Sequence, residues 1–216
     1  MEIILGSSSK WRQSLAKKYL GDNVILMPPD IDERQISNCH DAQNPQEHTS
    51  IIARAKLDHL LSKLKTQSTT KNKKTIVICC DTIEYFNGEI LEKPKDTEDC
   101  LRMIRLWSKN GCRTEIYTSI AIGGICTQND TFQTYIETDV QRADLVMVRD
   151  FTNDEIMTYI KNKDCMKSSG AVIIDDVLNS GAGIVEGDKT VIEGLPIPSV
   201  LNLIKKIEAQ MTPNLS

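Results

Sequence analysis

The sequence predicts an α/β fold, because short apolar runs alternate with helical stretches along its 216 residues. The first apolar run, residues 2–5, is followed by apolar residues at helical spacing over residues 11–20. Residues 49–64 carry a broad apolar face that is typical of a long packed helix. Residues 76–80 are a short apolar run that predicts a buried strand. A chain of this length can bury one substantial core, as one domain or as two lobes of one domain.

Turn-forming residues separate the first predicted elements. Gly6 and the three serines after it end the first strand, and the serines are natural N-caps for the helix that follows. A second strand is predicted at residues 24–27, where two prolines end the apolar run. Residues 66–74 are polar, and we expect an exposed loop there.

The middle of the chain continues the alternation of helices and strands. Residues 96–108 are predicted to be helical, with Thr97 as the N-cap and acids in the first turn. Strands are predicted at residues 115–123 and 134–147. A further helix is predicted to begin at Asn153, which we expect to be its N-cap.

The C-terminal part is less regular in its pattern. Residues 166–182 are rich in glycine and serine around two apolar stretches. We expect residues 191–195 to be extended and residues 196–207 to form the final helix, which opens at a proline. Residues 210–216 are predicted to be a frayed tail. The predicted domain therefore covers residues 1–209.

Charged residues follow the central apolar strand. We expect that strand to stop at Asp81-Thr82, which would hold a carboxylate rigidly at the edge of the core and toward a cleft. Asn87-Gly88 is typical of a type I′ hairpin, because both residues tolerate positive φ. The returning strand leads to Lys93, so an acid and a lysine would end neighbouring strands without necessarily being in contact. An acid with a lysine suits a metal-bound phosphate substrate.

Other charged residues have both a functional and an ordinary interpretation. The small-residue turn before the first helix can bind an anion at free backbone N–H groups, with Arg12 as a planar donor. A capped helix with a surface arginine fits that spacing equally well. The acidic segment that contains Asp30, Asp32 and Glu33 has two interpretations: it forms a solvated turn, or one of its acids is a metal ligand. Lys56 lies beside the apolar stripe of its helix, where most lysines are solvated.

Composition and charge exclude several classes of protein. The net charge of -4 argues against a general nucleic-acid binder, although a small anionic substrate needs only a local basic pocket. The seven cysteines show no CxxC spacing, so we expect reduced thiols in a cytoplasmic protein rather than a disulfide framework. No apolar run reaches the length of a membrane span and no secretory signal is recognisable, so no membrane partner is predicted.

The order of several short blocks resembles the Maf family. The opening LGSSSKWRQSL is similar to the family's L-A-S-x-S-P-R/W-R-x-x-L, with Lys10 in place of the usual proline. The later blocks are IDE at residues 31–33, ARAK at 53–56, DT at 81–82, NGEILEKP at 87–94, EIYTSIAI at 115–122, FTNDEIMTYI at 151–160 and EGLP at 193–196. Each block alone is weak, but their order across nearly the whole chain is specific.

The resemblance implies a nucleoside-triphosphate pyrophosphatase that cuts between the α and β phosphates and removes non-standard or modified nucleotides. It implies a two-lobed α/β domain with an elongated mixed sheet, flanking helices and a cleft between the lobes, and homodimers are common in the family. Glu33 and Asp81 would bind Mg²⁺ or another divalent cation such as Mn²⁺, with Asp81 also the proton acceptor. The residues that would hold the triphosphate are Ser7, Ser9, Arg12, Lys56 and Lys93, and the two lysines complete the predicted catalytic set.

Three positions bear on the choice of base. The family branch with tryptophan at the position of Trp11 is associated with 7-methyl-GTP, whereas the branch with arginine there prefers dTTP and UTP. Another position that distinguishes the two branches falls at Asp175, although the segment GAVIIDD around it departs from the family's G-A-Y-G-I-Q. N7-methylated guanine is cationic and would stack on an indole, which contributes ~0.5–2 kcal/mol, while a carboxylate accepts hydrogen bonds from its N1–H and amino group. We therefore favour 7-methyl-GTP, whereas Thr82 favours dTTP and UTP. If Trp11 packed in the core, or if Asp175 lay in a surface turn, the preference for 7-methyl-GTP would lose its support.

Two functions of other classes compete with this one. A catalytically inactive nucleotide-binding regulatory module would keep the fold, but retention of both acids and both lysines of the predicted catalytic set argues against it. A serine or cysteine hydrolase would need a histidine near its nucleophile. His40, His48 and His59 lie in or beside predicted loops, and none belongs to a motif such as GxSxG.

Overall fold

A computed structural model describes residues 1–36, 44–67, 73–128, 131–161 and 164–212. Within these ranges helices alternate with the strands of one mixed sheet, which confirms the predicted α/β class. No helix in the described ranges is both long enough and apolar enough to cross a membrane. The predicted cleft between two lobes stays a prediction.

The described elements are numbered separately as strands and helices in chain order. The strands are β1 (Glu2–Leu5), β2 (Ile25–Leu26), β3 (Lys74–Phe86), β4 (Glu89–Leu91), β5 (Arg113–Gln128), β6 (Thr131–Met147) and β7 (Gly183–Glu186). The helices are α1 (Lys10–Leu20), α2 (Pro45–Gln67), α3 (Thr97–Trp107), α4 (Asn153–Lys161), α5 (Ile174–Asn179), α6 (Lys189–Ile192) and α7 (Ile197–Gln210). Short 3-10 turns lie at Glu33–Gln35, Asp164–Lys167 and Ser169–Ala171.

The sheet has the strand order β2-β1-β3-β5-β6-β7, with β4 added to β3. Parallel pairing surrounds β1, where Ile4 lies opposite Ile25 on one side and Val77 on the other. Antiparallel pairing joins β6 to β7, with Leu145 opposite Val185. The sheet is therefore mixed, as expected.

The chain divides into two compact units, and most of the divisions fall within strands. Unit 1 consists of Met1–Asp81, Thr118–Gln141 and Gly194–Ser216. Unit 2 consists of Thr82–Tyr117 and Arg142–Glu193. Three of the four points where the chain passes from one unit to the other therefore lie inside β3, β5 and β6, and the fourth lies between α6 and α7.

In unit 1, helices cover both faces of β3. Ile78 belongs to the buried cluster that contains Leu203 of α7, whereas its neighbour Val77 belongs to the cluster that contains Leu57 of α2. Successive strand residues point to opposite faces, so a strand covered on both faces is apolar at every position. This explains the continuous apolar run that identified the strand in the sequence.

The core of unit 2 is built around Trp107 at the end of α3, which is 0% exposed. Its ring packs edge-on against Phe151 and Tyr159, with ring centroids 5.7 and 6.1 Å apart. The indole N–H donates a hydrogen bond to the carbonyl of Gly170 at 2.9 Å, which satisfies its polar group inside the core.

The hairpin after β3 is confirmed, but the predicted end of the strand is wrong. The chain turns at Asn87 and Gly88, whose φ values are 49° and 90°. The strand does not stop at Asp81-Thr82 and continues to Phe86, because its last residues pair with β4. The carboxylate of Asp81 therefore lies within a strand and not at its end.

The predicted loop at residues 66–74 is partly wrong. The long helix begins at Pro45 and runs through Gln67, and β3 begins at Lys74. Only residues between these two elements can form a loop, and 68–72 lie outside the described residues. The helix is longer than its apolar pattern indicated.

Two predicted N-caps are wrong by one residue. The carboxylate of Asp96, not Thr97, accepts a hydrogen bond from an amide in the first turn of α3 at 2.8 Å. Before α4, Thr152 Oγ1 accepts from the amide of Glu155 at 3.2 Å, and that glutamate accepts from the amide of Thr152 at 2.8 Å. This reciprocal pair is a capping box, so Asn153 is the first helical residue.

The C-terminal prediction is correct for the last helix only. Residues 191–195 are not extended, because one helical turn, α6, occupies their start and is capped by Asp188. Pro196 precedes α7 as expected. The helix ends inside the predicted tail, where Met211 is 4% exposed, and residues 213–216 lie outside the described residues.

Candidate active site

The turn between β1 and α1 approaches β3 closely. A Cβ added at Gly6 would lie 2.5 Å from the Cys79 sulfur, so any larger residue would force the neighbouring side chains to shift. Ser7 is buried, and its hydroxyl accepts a hydrogen bond from the amide of Ser9 at 3.2 Å. Ser9 is the N-cap of α1 and accepts from the amide of Arg12 at 3.5 Å. The predicted capped helix N-terminus is therefore present, and its role in anion binding stays a prediction.

Arg12 is anchored on the backbone of two distant segments. Its Nε donates to the carbonyl of Gly194 at 2.8 Å, and its Nη1 donates to the carbonyl of Cys80 at 3.0 Å. The side chain is half-buried. Because Cys80 immediately precedes Asp81, the guanidinium lies beside the strand position that carries the predicted proton acceptor. The EGLP block thus supplies, through Gly194, an acceptor that positions this arginine.

The two predicted acids meet the lysine of α2 in one cluster. Lys56 Nζ lies 2.7 Å from Asp81 Oδ1 and 3.0 Å from Glu33 Oε1. Lys56 and Asp81 are 5% and 6% exposed, whereas the Glu33 side chain is 42% exposed. The interpretation of Lys56 as a solvated helical lysine is therefore wrong, because its ammonium is buried against two carboxylates.

Local packing explains why α2 presents this lysine inward. Its neighbour Leu57 is fully buried, so the helix turns this part of its surface into the core. A second contact fixes the helix: Thr49 Oγ1 lies 2.6 Å from the hydroxyl of Ser119 on β5, and Ser50 Oγ lies 3.1 Å from the same hydroxyl. This hydroxyl cluster was not predicted from the sequence.

The Glu33–Lys56–Asp81 cluster can hold a divalent cation by the chemistry of its donors. Both carboxylate oxygens contact the same nitrogen, so they lie no further apart than the sum of those two contacts. Mg²⁺ commonly takes one or two protein carboxylates and completes its shell with phosphate oxygens and water. No group of three or more His, Cys, Asp or Glu side chains is arranged for a metal ion among the residues that the structure describes. A cation here would therefore take its other ligands from the substrate or water.

The remaining catalytic prediction, Lys93, lies in unit 2. It is exposed and follows the end of β4 by two residues. Thr82 also belongs to unit 2, is half-buried on β3, and its carbonyl accepts a hydrogen bond from Ser169 Oγ at 2.9 Å. The structure thus brings together Glu33, Lys56 and Asp81, and it leaves the roles of Lys93 and Thr82 as predictions.

The predicted base-recognition residues are both accessible. Trp11 is 45% exposed on α1, so the alternative that it packs into the core is wrong. Asp175 lies in the first turn of α5, not in a surface turn, and accepts a hydrogen bond from Lys189 Nζ at 2.6 Å. That hydrogen bond raises the pKa of Lys189. Asp175 therefore already has a cationic partner.

The thiols near the cluster are not suited to nucleophilic catalysis. Cys79 and Cys80 are free and buried, and burial raises the pKa of the Cys80 thiol to about 11. A reactive cysteine instead needs a lowered pKa and some exposure. His48 and His59 both lie on α2, and His40 lies outside the described residues. The geometry gives no support to a cysteine hydrolase.

Glu84, a buried carboxyl three residues after Asp81, was not predicted from the sequence. Glu84 is 3% exposed, its Oε2 has no hydrogen-bond partner within the described ranges, and burial raises its pKa well above the ordinary value. A side chain at Gly170 would overlap this oxygen, so the glycine lets the carboxyl approach the backbone. The signal that could have found it was an acid flanked by Ile83 and Tyr85 in the segment after Asp81.

Among the comparisons with known proteins, one family model spans nearly the whole chain. The family model described as Maf-like protein matches residues 2–207. The chain is 29% identical over 206 residues to a protein of Dictyostelium discoideum described as 7-methyl-GTP pyrophosphatase, covering 95% of this chain and 96% of that protein. It is 31% identical over 216 residues to a protein of Clostridium novyi (strain NT) described as dTTP/UTP pyrophosphatase, covering 100% of both. A solved structure of a HAM1 protein from Coxiella burnetii matches 95% of this chain and 99% of that chain, with 12% identity and a TM-score of 0.37.

Proposed function

Since the chain belongs to the Maf family, we propose that it is a nucleoside-triphosphate pyrophosphatase. It would cleave the bond between the α and β phosphates and release a nucleoside monophosphate and pyrophosphate. The observation that carries the proposal is the buried Lys56 ammonium between the carboxylates of Glu33 and Asp81. Relatives described as pyrophosphatases match this chain over nearly its whole length.

Charge supports a cation-bound substrate. Two carboxylates against one ammonium leave the cluster with one net negative charge, so an uncomplexed triphosphate would be repelled. A divalent cation held by Glu33 and Asp81 would reverse this balance and would lower the pKa of an attacking water. Lys56 would then be free to face phosphate oxygens, together with Arg12. The phosphate-binding role of Lys93 is proposed from the family resemblance alone. Magnesium is our proposal for the ion, since the donors are all oxygen.

Proton transfer is assigned to Asp81. The lysine at 2.7 Å and the rigid strand on both sides hold its carboxylate in one orientation. A carboxylate fixed in this way can accept the proton of the attacking water without reorganisation. Little further covalent chemistry is needed, because phosphoryl transfer depends mainly on positioning and charge neutralisation.

For the base, we propose 7-methyl-GTP as the preferred substrate. Trp11 is accessible for stacking on a cationic purine, and a relative described as 7-methyl-GTP pyrophosphatase matches 95% of the chain. The second candidate is dTTP or UTP, which relatives of similar identity are described as hydrolysing and which Thr82 favours. The ion pair of Asp175 with Lys189 weakens the argument from that carboxylate.

The test is a nucleotide panel with Mg²⁺ and added inorganic pyrophosphatase, with phosphate release as the signal. Asp81→Asn should abolish turnover and keep the fold, measured by circular dichroism. The matched control is Asp58→Asn, which removes an exposed carboxylate on α2 and should leave turnover unchanged. Near-normal turnover in Asp81→Asn would refute the assignment of the proton acceptor.

The same panel separates the enzyme from a binding module. Release of pyrophosphate from any triphosphate favours the enzyme. Binding of triphosphates without turnover, measured by calorimetry, would favour the catalytically inactive regulatory module. We also propose a homodimer, on the family resemblance, and light scattering on the purified chain measures its mass directly.

A further inference from the structure

One turn is bonded to both arms of the β3–β4 hairpin. Ser169 Oγ donates a hydrogen bond to the carbonyl of Thr82 at 2.9 Å. The amide of the next residue, Gly170, donates to the carbonyl of Glu92 at 3.0 Å. Thr82 directly follows the proposed proton acceptor, and Glu92 directly precedes the proposed phosphate-binding Lys93. Two adjacent residues therefore hold the two ends of the hairpin.

These contacts lie where the hairpin's own pairing stops. The register of β3 with β4 runs from Phe86 opposite Glu89 to Glu84 opposite Leu91. Thr82 and Glu92 come after the last of these pairs, so the ladder between β3 and β4 does not fix their positions. The turn at Ser169 and Gly170 supplies the hydrogen bonds that the ladder lacks at this point.

The turn is itself anchored in the core of unit 2. The carbonyl of Gly170 accepts from the buried indole of Trp107 at 2.9 Å. The carbonyl of Ala171 accepts from the hydroxyl of Tyr159 at 2.9 Å, and the same hydroxyl accepts from the amide of Ile173. Gly170 and Ala171 have φ values of 53° and 60°. A non-glycine residue keeps such a conformation only where its surroundings determine it strongly.

We propose that Ser169 and Gly170 are positioning residues of the pyrophosphatase reaction. They would fix the distance between the two chain segments that flank the hairpin. This would hold Lys93 in a fixed position relative to the strand that leaves Asp81. This inference rests on the proposed function. A displacement of about 1 Å at a reacting group can lower a rate about a hundredfold, so the loss of one such contact should act on turnover more than on substrate binding.

Ser169→Ala is the direct test, because it removes one hydrogen bond and leaves the glycine in place. We expect kcat to fall about tenfold or more, with a much smaller change in KM. Ser169→Thr keeps the hydroxyl and should restore most of kcat. The matched control is Ser180→Ala in the same unit, whose hydroxyl donates to the carbonyl of Val177 at 2.8 Å and which should leave both constants unchanged.

Hydrogen exchange measured by mass spectrometry, without nucleotide, provides a readout that does not depend on activity. In Ser169→Ala, faster exchange confined to the peptide covering residues 82–93 supports the proposal. Faster exchange throughout unit 2 would overturn it, because the serine would then be only a folding residue. Unchanged kcat with an active wild type would also overturn it. A wild type that turns over no nucleotide would refute the proposed function instead. In that case, unchanged exchange at residues 82–93 of Ser169→Ala would also refute the proposal that Ser169 holds the hairpin in place.

Discussion

Replacing Lys56 with methionine should destabilise the chain strongly, because it leaves a buried carboxylate without a cation. Methionine keeps an unbranched apolar stem of similar length, so the change removes the charge more than the packing. Asp81 is 6% exposed, and removing one partner of a buried pair costs about 3–5 kcal/mol. The Glu33 side chain is 42% exposed, so its share is that of a surface ion pair, about 0–1 kcal/mol. The loss therefore comes mainly from Asp81.

Urea unfolding monitored by circular dichroism, in EDTA and without nucleotide, measures this loss. We expect the free energy of unfolding to fall by about 3–5 kcal/mol, which for a chain of this size lowers Tm by roughly 6–20 °C. The control is Lys63→Met, an exposed lysine of the same helix, which should change the free energy by less than about 0.5 kcal/mol. If Lys56→Met is as stable as this control, the ammonium is not part of a buried pair and the proposed site is refuted.

Three further measurements test the metal, the buried acid and the base. Chelation of divalent cations should stop phosphate release and added Mg²⁺ should restore it, and full turnover in EDTA would contradict the metal proposal. Because burial raises the pKa of Glu84 above 4.5, the folded chain keeps a proton that the unfolded chain releases. The stabilisation that comes from this difference in pKa is therefore complete below the unfolded pKa of 4.5, and it is lost as the pH rises through the folded pKa. Glu84→Gln should reduce the fall of unfolding free energy with rising pH in urea melts, and curves that stay parallel for the two proteins would contradict this. Trp11→Arg should shift kcat/KM toward dTTP and UTP, whereas Tyr19→Arg, an equally exposed aromatic on the same helix, should not; an unchanged ranking would refute stacking.

Local signals in the sequence predicted the elements whose causes are local. The turn after β1 needs small residues, and Asn87-Gly88 needs positive φ, so both could be identified from residue type alone. The buried run of β3 could be identified because helices cover both of its faces in unit 1. The end of that strand could not, since the pairing with β4 extends it through polar residues.

The site could be predicted only in part, for a related reason. The family motifs, taken in their sequence order, identified Glu33, Lys56 and Asp81, whereas helical spacing alone predicts that Lys56 is solvated. Its burial depends on an acid 25 residues further along the chain, which no local pattern contains. Glu84 was missed because a buried acid without a partner contradicts the usual rule that polar groups lie outside or are hydrogen-bonded.

The passage of the chain between its two units through β3, β5 and β6 limits how the protein can be divided. Separable domains are usually joined by exposed, irregular linkers, which tolerate cutting and genetic fusion. Here neither unit is a contiguous stretch of sequence, and a fragment cut at three of the four passages would end on a severed strand. Subcloning one half should therefore give an insoluble product, and swapping halves between relatives would require several simultaneous junctions within hydrogen-bonded backbone.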